Sequence, residues 1–382
     1  MLPFRIEPIP RLRFGAGSRR ELPALVASFG RRVLFVTGRR SLERRGHREA
    51  LSSALQTSGA EVLDAHIEGE PTPETIDRLA GQGRSFGVEV VLAVGGGSVL
   101  DAGKAIAAIL PVEGSIVSYL EGVGDRAHPG VTLPMLAVPT TAGTGSEATQ
   151  NAVITRVGVF KKSLRHPAFV PAYAVVDPEL AVGVPRPITA ACGMDALTQL
   201  LEGYLSTSAT PFTDALALDG LRAGFEALPL LMAGADTVEN RGKMAWAAFL
   251  SGITLAQAGL GLVHGLAGPL GAAVDIPHGV ACGTLMAATN EATLSALVQQ
   301  GQSLERMARV GQVLRPELDE EAACEHLVAT LFAWTEAFDL PRLGPFGVDE
   351  ALIERLSVQG ANRNSPIALC DAHIAAVLRS RL

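Results

Sequence analysis

The chain has 382 residues, of which 48% are hydrophobic and 19% are charged, and its formal net charge is −7 at pH 7. An apolar fraction of this size predicts large folded cores, in roughly two to three domains by length, and argues against disorder. The net charge is negative, and no more than two lysine or arginine residues are consecutive, so the sequence argues against nucleic-acid binding.

The cysteines and the N-terminus predict a cytoplasmic protein. The four cysteines, at positions 192, 282, 324 and 370, form no Cys-x-x-Cys pair, so we interpret them as core or incidental thiols in a reducing compartment. The first residues lack the charged segment and apolar run of a signal peptide. Residues 255–274 reach bilayer length without a formal charge, but one histidine, one proline and five glycines favour a buried, broken helix pair over a membrane span.

The first half of the chain alternates between two patterns. Apolar, β-branched runs predict strands at residues 33–37, 61–66, 88–94, 135–138 and 173–177, after one or two short strands in residues 5–14. Between them, helical patterns predict helices at residues 18–29, 72–86 and 98–110, and one more that follows residue 41 and ends at about residue 56. This alternation predicts an α/β domain over residues 1–183, with a parallel sheet covered by helices.

A glycine-rich turn lies between one predicted strand and the next helix. Gly95, Gly96 and Gly97 would leave backbone N–H groups free to face a diphosphate at the positive end of that helix. Ser98 and Asp101 have the spacing of a capping box, which predicts that the helix starts at Ser98. Taken alone, the three glycines fit a turn without a ligand equally well.

A second loop follows the predicted strand at residues 135–138. It carries the hydroxyl groups of Thr140, Thr141, Thr144 and Ser146, interspersed with glycines. Open α/β sheets bind ligands at the carboxyl ends of their strands, so this loop is a candidate ligand contact. A polar loop without a ligand is the alternative.

Beyond residue 187 the pattern changes to long helical periods. Helices are predicted at residues 188–204, 212–232, 238–257, 262–273 and 279–297, with several more up to residue 382. This indicates an all-α domain over residues 184–382.

Four polar residues of the helical half suggest a metal site. Asp195 and Gln199 are four residues apart, hence on one helical face, while His264 and His278 lie in apolar surroundings. A carboxylate with imidazoles suits a divalent metal such as Fe²⁺ or Zn²⁺. For either histidine alone, a hydrogen-bonded core residue is the more common case.

Taken together, these motifs resemble the iron-containing (group III) alcohol dehydrogenases. The matching segments occur in the family's order and nearly span the chain: Gly95-Gly96-Gly97-Ser98 with Asp101 and Lys104, residues 139–147, Asp177-Pro178, residues 193–198, His264 and Pro277-His278-Gly279. The resemblance implies a Rossmann-like dinucleotide-binding domain within a dehydroquinate synthase-like architecture. It also implies a small alcohol or aldehyde substrate, hydride transfer with NADP or NAD, and at least a homodimer in which N-terminal strands pair.

The resemblance also implies roles for individual residues. Gly96, Gly97 and Ser98 would hold the diphosphate; the hydroxyl loop would line the nicotinamide side; Lys161 or Lys162 would reach a ribose. Asp195, His264 and His278 match three of the family's four metal ligands, and we expect them to be catalytic.

Two positions depart from the family. Gln199 stands where the family has its fourth ligand, a histidine, and Gly268 stands where some members have a further histidine. An amide oxygen is a weaker metal donor than imidazole, so Gln199 or water would complete the shell. A metal-independent carbonyl or enoate reductase like the maleylacetate reductases is therefore one alternative, and a catalytically lapsed cofactor-binding protein is another.

The segment that follows the strand at residues 33–37 leads to an expectation about the choice between NADP and NAD. Many NAD-using members have an aspartate after the second strand, whose charge repels the 2′-phosphate of NADP. This chain has Gly38 there, followed by Arg39, Arg40 and Ser41, which predicts NADPH over NADH because guanidinium pairs well with phosphate. The alternative is that both arginines are merely solvated at the start of a helix.

Overall fold

One parallel sheet organises the first half of the protein in the computed structural model, which describes residues 3–39, 42, 46–359, 362 and 364–382. Its six strands have the order β1–β8–β5–β4–β2–β3, and all pairings are parallel. They are β1 (Arg11–Phe14), β2 (Arg32–Gly38), β3 (Glu61–Ile67), β4 (Val90–Gly95), β5 (Met135–Pro139) and β8 (Tyr173–Val176). The predicted parallel sheet is thus confirmed.

Helices cover both faces of the sheet, as the continuous apolar strands predicted. The helices are α1 (Leu22–Ala27), α2 (His47–Thr57), α3 (Pro73–Phe86) and α4 (Gly97–Ile109). Along β4, Val91 and Ala93 belong to one buried cluster, and Val90, Leu92 and Val94 belong to another. Alternate residues of a strand point to opposite faces, so both faces of β4 are core.

The start predicted for α4 is wrong. Gly96 precedes the helix as its N-cap without a capping side chain, and the helix begins at Gly97. Asp101 does not reach back to close a capping box. Its carboxylate instead accepts hydrogen bonds from the Ser146 hydroxyl and, at 3.0 Å, from the Val153 N–H.

The buried ammonium of Lys104 holds the segment that follows β5. It donates to the carbonyl oxygens of Ser146 (2.8 Å) and Asn151 (2.7 Å) and to the Thr149 hydroxyl (2.9 Å). Burial outweighs the attraction of nearby carboxylates and lowers the pKa of Lys104 to about 8. The polar residues of α4 therefore fix the hydroxyl loop to the glycine turn.

A hairpin that the sequence analysis did not predict follows this loop. Strands β6 (Asn151–Arg156) and β7 (Phe160–Arg165) pair antiparallel, and Gly158 in the connecting turn has a φ of +78°. Ala152, Ile154 and Leu164 are buried in the core beside α4. The polar alternation of two short, half-exposed strands explains why no strand pattern was recognised there.

The second half is helical, with α5 (Arg186–Leu205) at its centre. All residues of α5 from 193 to 205 are buried. Around it lie α6 (Pro211–Met232), α7 (Val238–Ala258), α8 (Leu262–Ala273), α9 (His278–Gln299), α10 (Glu305–Leu314), α11 (Glu320–Ala337), α12 (Glu350–Gln359) and α13 (Asp371–Ser380). Polar side chains on α5 are consequently enclosed by protein.

Helices α7 and α8 account for the long apolar stretch of the sequence. Within the described ranges, no single helix has the length and apolar composition needed to span a bilayer. The pair formed by α7 and α8 meets those criteria together and bends by 96° at its break.

Two glycines bring the sheet half and the helical half into backbone contact. Gly145, in the hydroxyl loop, has a φ of +60°, and a Cβ added there would lie 2.5 Å from the Gly252 nitrogen on α7. A Cβ added to Gly252 would lie 2.1 Å from the Gly145 oxygen. Only glycine permits this approach, so the loop rests directly on α7.

Replacing Gly252 tests this contact. We expect Gly252→Ala to lower the free energy of unfolding by about 1–3 kcal/mol, because the added methyl group must push two backbones apart. Urea denaturation measures the change. The control is Gly81→Ala on α3, where a Cβ would meet no atom within 4 Å, so the alanine should be neutral or stabilising by up to about 1 kcal/mol. Equal stabilities of the two variants would contradict the contact.

Candidate metal and dinucleotide site

A cavity of about 110 Å³ lies between the two halves. The sheet half contributes Gly97 and Ser98 from the start of α4, together with Thr144, Ser146 and Lys161. The helical half contributes Gln199, Leu255 and His278. Residues predicted separately as cofactor contacts and as metal ligands therefore meet in one cavity.

The glycine turn is shaped for close approach of a ligand to its backbone. A Cβ at Gly97 would lie 2.6 Å from Thr144 Cγ2, and one at Gly95 would lie 2.6 Å from Val99 Cβ. Side chains are thus excluded from a turn that opens the 13-residue helix α4. The first N–H groups of such a helix, with the positive end of its dipole, bind phosphate oxygens well.

The position of this turn in the sheet also favours a dinucleotide. Strand β4 pairs with β2 on one side and with β5 on the other, while β3 lies beyond β2. The chain thus reverses direction across the sheet at β2 and β4, and open α/β sheets bind ligands at the carboxyl ends of such strands. Gly38 and Gly95 end these two strands.

The hydroxyl loop divides into structural and free groups. Ser146 lies between Asp101 and Lys104 and holds the loop in place, although it also lines the cavity. Thr141 faces Gly96, since a Cβ on that glycine would lie 3.3 Å from the Thr141 hydroxyl. Thr140 is buried, and its hydroxyl has no hydrogen-bond partner among the described residues.

The hairpin distinguishes the two candidate lysines. Lys161 lines the cavity and forms an ion pair with Glu70, whereas the neighbouring Lys162 is exposed and lies near Gly122 on the other face of β7. The expectation that Lys162 reaches the cofactor is therefore not supported by its position. Glu70, which also accepts a hydrogen bond from Thr155, was missed because it follows β3 without any motif.

The adenosine end of the candidate site is only partly described. Gly38 ends β2, and the exposed Arg39 forms an ion pair with Glu68 at 2.7 Å. Arg40 and Ser41 lie outside the described residues. Glu68 therefore brings a carboxylate to this edge of the sheet that the sequence analysis did not include.

Four side chains from three helices converge on the candidate metal centre. Asp195 comes from α5, His264 from α8, and His278 and Cys282 from α9, and one ligand atom of each lies within 4.8 Å of all the others. The interpretation of the four cysteines as core or incidental thiols agrees with the burial of Cys282 but did not include its place in this cluster. Its spacing was the available signal, because residues four apart in a helix share a face and Cys282 follows His278 by four.

The chemistry of this cluster fits a divalent cation. Asp195 is almost fully buried, yet neither carboxylate oxygen has a hydrogen-bond partner among the described residues. Buried carboxylates are normally hydrogen-bonded, paired or bound to a metal. Burial acts to raise the pKa of Asp195, but His278 and His264 outweigh it and lower that pKa. Burial lowers the pKa of His278 to about 4. For His264, burial acts in the same direction, but contacts with Cys282, Asp195 and Glu202 outweigh it and raise the pKa well above its usual value.

Glu202 orients one of these ligands. Its carboxylate contacts His264 Nδ1 at 2.6 Å and accepts the N–H of Val263 at 2.6 Å, at the start of α8. The second nitrogen of His264, Nε2, thereby faces Asp195 at 3.3 Å. The sequence analysis missed Glu202, although Asp195, Gln199 and Glu202 form one polar stripe on an otherwise apolar helix.

Gln199 lies one turn after Asp195 and also lines the cavity. Its Oε1 accepts a hydrogen bond from the buried Ser251 hydroxyl at 2.8 Å. The oxygen that would bind a metal therefore already has a partner within the protein.

The fold and this site together define a class of protein: an α/β domain with a candidate dinucleotide-binding turn, joined to a helical domain with a candidate metal centre. Comparison with known proteins narrows the class. Residues 10–178 match the family model "Iron-containing alcohol dehydrogenase", and residues 189–382 match "Fe-containing alcohol dehydrogenase family, C-terminal". The chain belongs to the iron-containing alcohol dehydrogenase family.

Individual relatives agree with this assignment. The chain is 33% identical to the probable alcohol dehydrogenase EutG of Escherichia coli K12 over 88% of this chain and 83% of that protein. It is 30% identical to the NAD-dependent methanol dehydrogenase of Bacillus methanolicus over 98% of each chain. A solved 1,3-propanediol oxidoreductase is 28% identical, covers 100% of both chains and superposes with a TM-score of 0.88. The chain is accordingly an NAD(P)-dependent alcohol oxidoreductase.

Changing Glu202 tests its orienting role. We expect Glu202→Gln to lower metal affinity about 10–100-fold, the usual effect of removing a carboxylate behind a ligating histidine. Competition with a chelator, followed by elemental analysis, measures the affinity. Glu226→Gln, which removes an exposed carboxylate paired with Lys243, serves as the control and should change nothing. Equal affinities in the two variants would contradict the role of Glu202.

Proposed function

We propose that this protein interconverts a small primary alcohol and its aldehyde, with a divalent metal held at Asp195, His264 and His278. The observation that carries the proposal is the position of His278. Its ring belongs to the metal cluster and also lines the cavity that begins at Gly97 and Ser98. A substrate in that cavity would therefore touch both a candidate metal ligand and the candidate cofactor-binding turn.

The residues of this chain have distinct tasks in such a reaction. Asp195, His264 and His278 would hold a divalent metal that would supply a Lewis acid for the substrate oxygen, and the glycine turn would hold a nicotinamide dinucleotide that would supply the hydride acceptor or donor. The N–H groups at the start of α4 bind the diphosphate, and Thr140, Thr141 and Thr144 border the nicotinamide end. Leu255 and Val153 contribute apolar surface to the cavity, which limits access of water to the reacting atoms.

Removal of the metal separates this proposal from its alternatives. We expect dialysis against a chelator to abolish reduction of short aldehydes, because the substrate oxygen then lacks its Lewis acid, and Fe²⁺ or Zn²⁺ to restore it. Steady-state rates with NADH and NADPH, before and after treatment, are the measurement. Undiminished turnover by metal-free protein would support a metal-independent reductase, and dinucleotide binding without any turnover would support a lapsed enzyme.

For the cofactor we propose NADPH over NADH. The absence of a side chain at Gly38 supports this, because no carboxylate there repels a 2′-phosphate, and Arg39 follows directly. The ion pair of Arg39 with Glu68 opposes it by engaging the guanidinium.

Two substitutions test the cofactor proposal. Gly38→Asp should reverse the preference, since it places a carboxylate where the phosphate would bind, whereas Glu68→Gln should strengthen the preference for NADPH by releasing Arg39. The ratio of kcat/KM values for the two cofactors is the measurement. A wild-type enzyme with the higher kcat/KM for NADH would refute the proposal.

We further propose a cytoplasmic homodimer. Strand β1 lies at the edge of the sheet, and the segment before it exposes Phe4, Ile6 and Ile9. An unpaired strand edge with apolar neighbours is well suited to pair with a second copy. Light scattering that gave the mass of a monomer at micromolar concentration would count against the dimer.

A further inference from the structure

We propose that the thiolate of Cys282 is the fourth protein ligand of the metal, in place of the amide of Gln199, and that the site consequently favours Zn²⁺ over Fe²⁺. The inference rests on the proposed metal-assisted function. It goes further by assigning a residue and a metal preference that the family resemblance does not supply.

The distances between the ligand atoms carry the assignment. Cys282 Sγ lies 3.5 Å from His264 Nε2 and 3.6 Å from His278 Nε2. Asp195 Oδ1 lies 3.3 Å from His264 Nε2 and 3.8 Å from His278 Nε2. Ligand atoms placed tetrahedrally at metal distances of about 2.0–2.3 Å would be separated by about 3.3–3.8 Å. All four of these separations lie in the range expected for a tetrahedral shell, and the two remaining pairs of ligand atoms lie within 4.8 Å.

Cys282 belongs to the buried core of the helical half, and its sulfur faces the candidate metal centre. Its side chain is fully buried, and its sulfur contacts are the two histidine nitrogens that face Asp195. Cys282 stands one helical turn after His278 on α9, so the same helix presents both donors to the centre. Packing alone does not explain why the sulfur faces two imidazoles and a buried carboxylate.

Gln199 is the weaker candidate for the same position. Its Oε1 already accepts the Ser251 hydroxyl, and an amide oxygen is a neutral donor. A thiolate and a carboxylate together would neutralise a divalent cation, which lowers the cost of burying it. Thiolates are soft ligands that suit Zn²⁺, whereas nitrogen and oxygen donors alone discriminate less strongly against Fe²⁺.

Cobalt substitution tests the ligand directly, without reference to activity. Metal-free wild-type protein loaded with Co²⁺ should show a thiolate-to-cobalt charge-transfer band in the near ultraviolet, and Cys282→Ser should lose it. Cys324→Ser is the matched control, because Cys324 is likewise buried in the helical half but contacts Leu304 instead of the centre. It should keep the band.

Metal content supplies a second readout. We expect Cys282→Ser to bind Zn²⁺ at least about tenfold more weakly and to shift the Zn²⁺-to-Fe²⁺ ratio toward iron when both are offered. Gln199→Ala should retain the cobalt band. Should Cys282→Ser fail to fold, the wild-type and Gln199→Ala spectra still decide, because a thiolate band present in both supports a sulfur ligand.

The possible outcomes distinguish failure of the Cys282 assignment from failure of the proposed metal-assisted function. Co²⁺ binding without a thiolate band, or with a band that Cys282→Ser leaves unchanged, overturns the assignment of Cys282 and leaves the metal-assisted function standing. Failure of the intact protein to bind any of the three metals overturns both.

Discussion

The burial of one carboxylate in the middle of α5 is the constraint on which the helical half depends. Asp195 is enclosed by protein, and its oxygens receive no hydrogen bond within the described ranges. An isolated buried charge would cost several kcal/mol or more, so a positive partner must be present for this helix to be stable at the centre of a core. The convergence of α8 and α9 supplies this partner through the imidazoles of His264 and His278, so the packing that stabilises Asp195 also builds the candidate metal site.

The sheet half has a comparable polar centre. Lys104 and Asp101 on α4 organise the segment from Ser146 to Val153 through hydrogen bonds, which connect the glycine turn to the hydroxyl loop. Gly145 in that loop then rests on α7. A continuous set of contacts therefore runs from the glycine-turn end of the cavity to the helices that surround the candidate metal centre.

The sequence predicted the regular elements better than the site. Apolar runs and helical periods located six strands and the major helices because burial on two faces or on one stripe leaves a repeating pattern. The hairpin β6–β7 escaped, since its strands are short and rich in polar residues. Local spacing misplaced the start of α4: Asp101 bonds to Ser146 and Val153, which are far from it in sequence but close in space.

The sequence predicted some residues of the candidate site and not others, for the same reason. Asp195, His264 and His278 were recognisable because polar residues in apolar segments are unusual and because the family motifs include them. Cys282 and Glu202 left only a weak local signal, their helical spacing from His278 and Asp195, because both derive their importance from contacts with His264 on another helix. The choice between Lys161 and Lys162 likewise required the register of the hairpin, because adjacent residues of a strand point to opposite faces.

The composition of α8 makes the placement of His264 dependent on its neighbours. This helix of 12 residues contains three glycines and a proline, all poor helix formers, and Glu202 binds an N–H at its start. A segment of this kind is helical only while tertiary contacts hold it. Loosening of α8 from α5 would unwind the backbone and withdraw the imidazole in one event, so amide hydrogen exchange in α8 would report the integrity of the candidate metal centre.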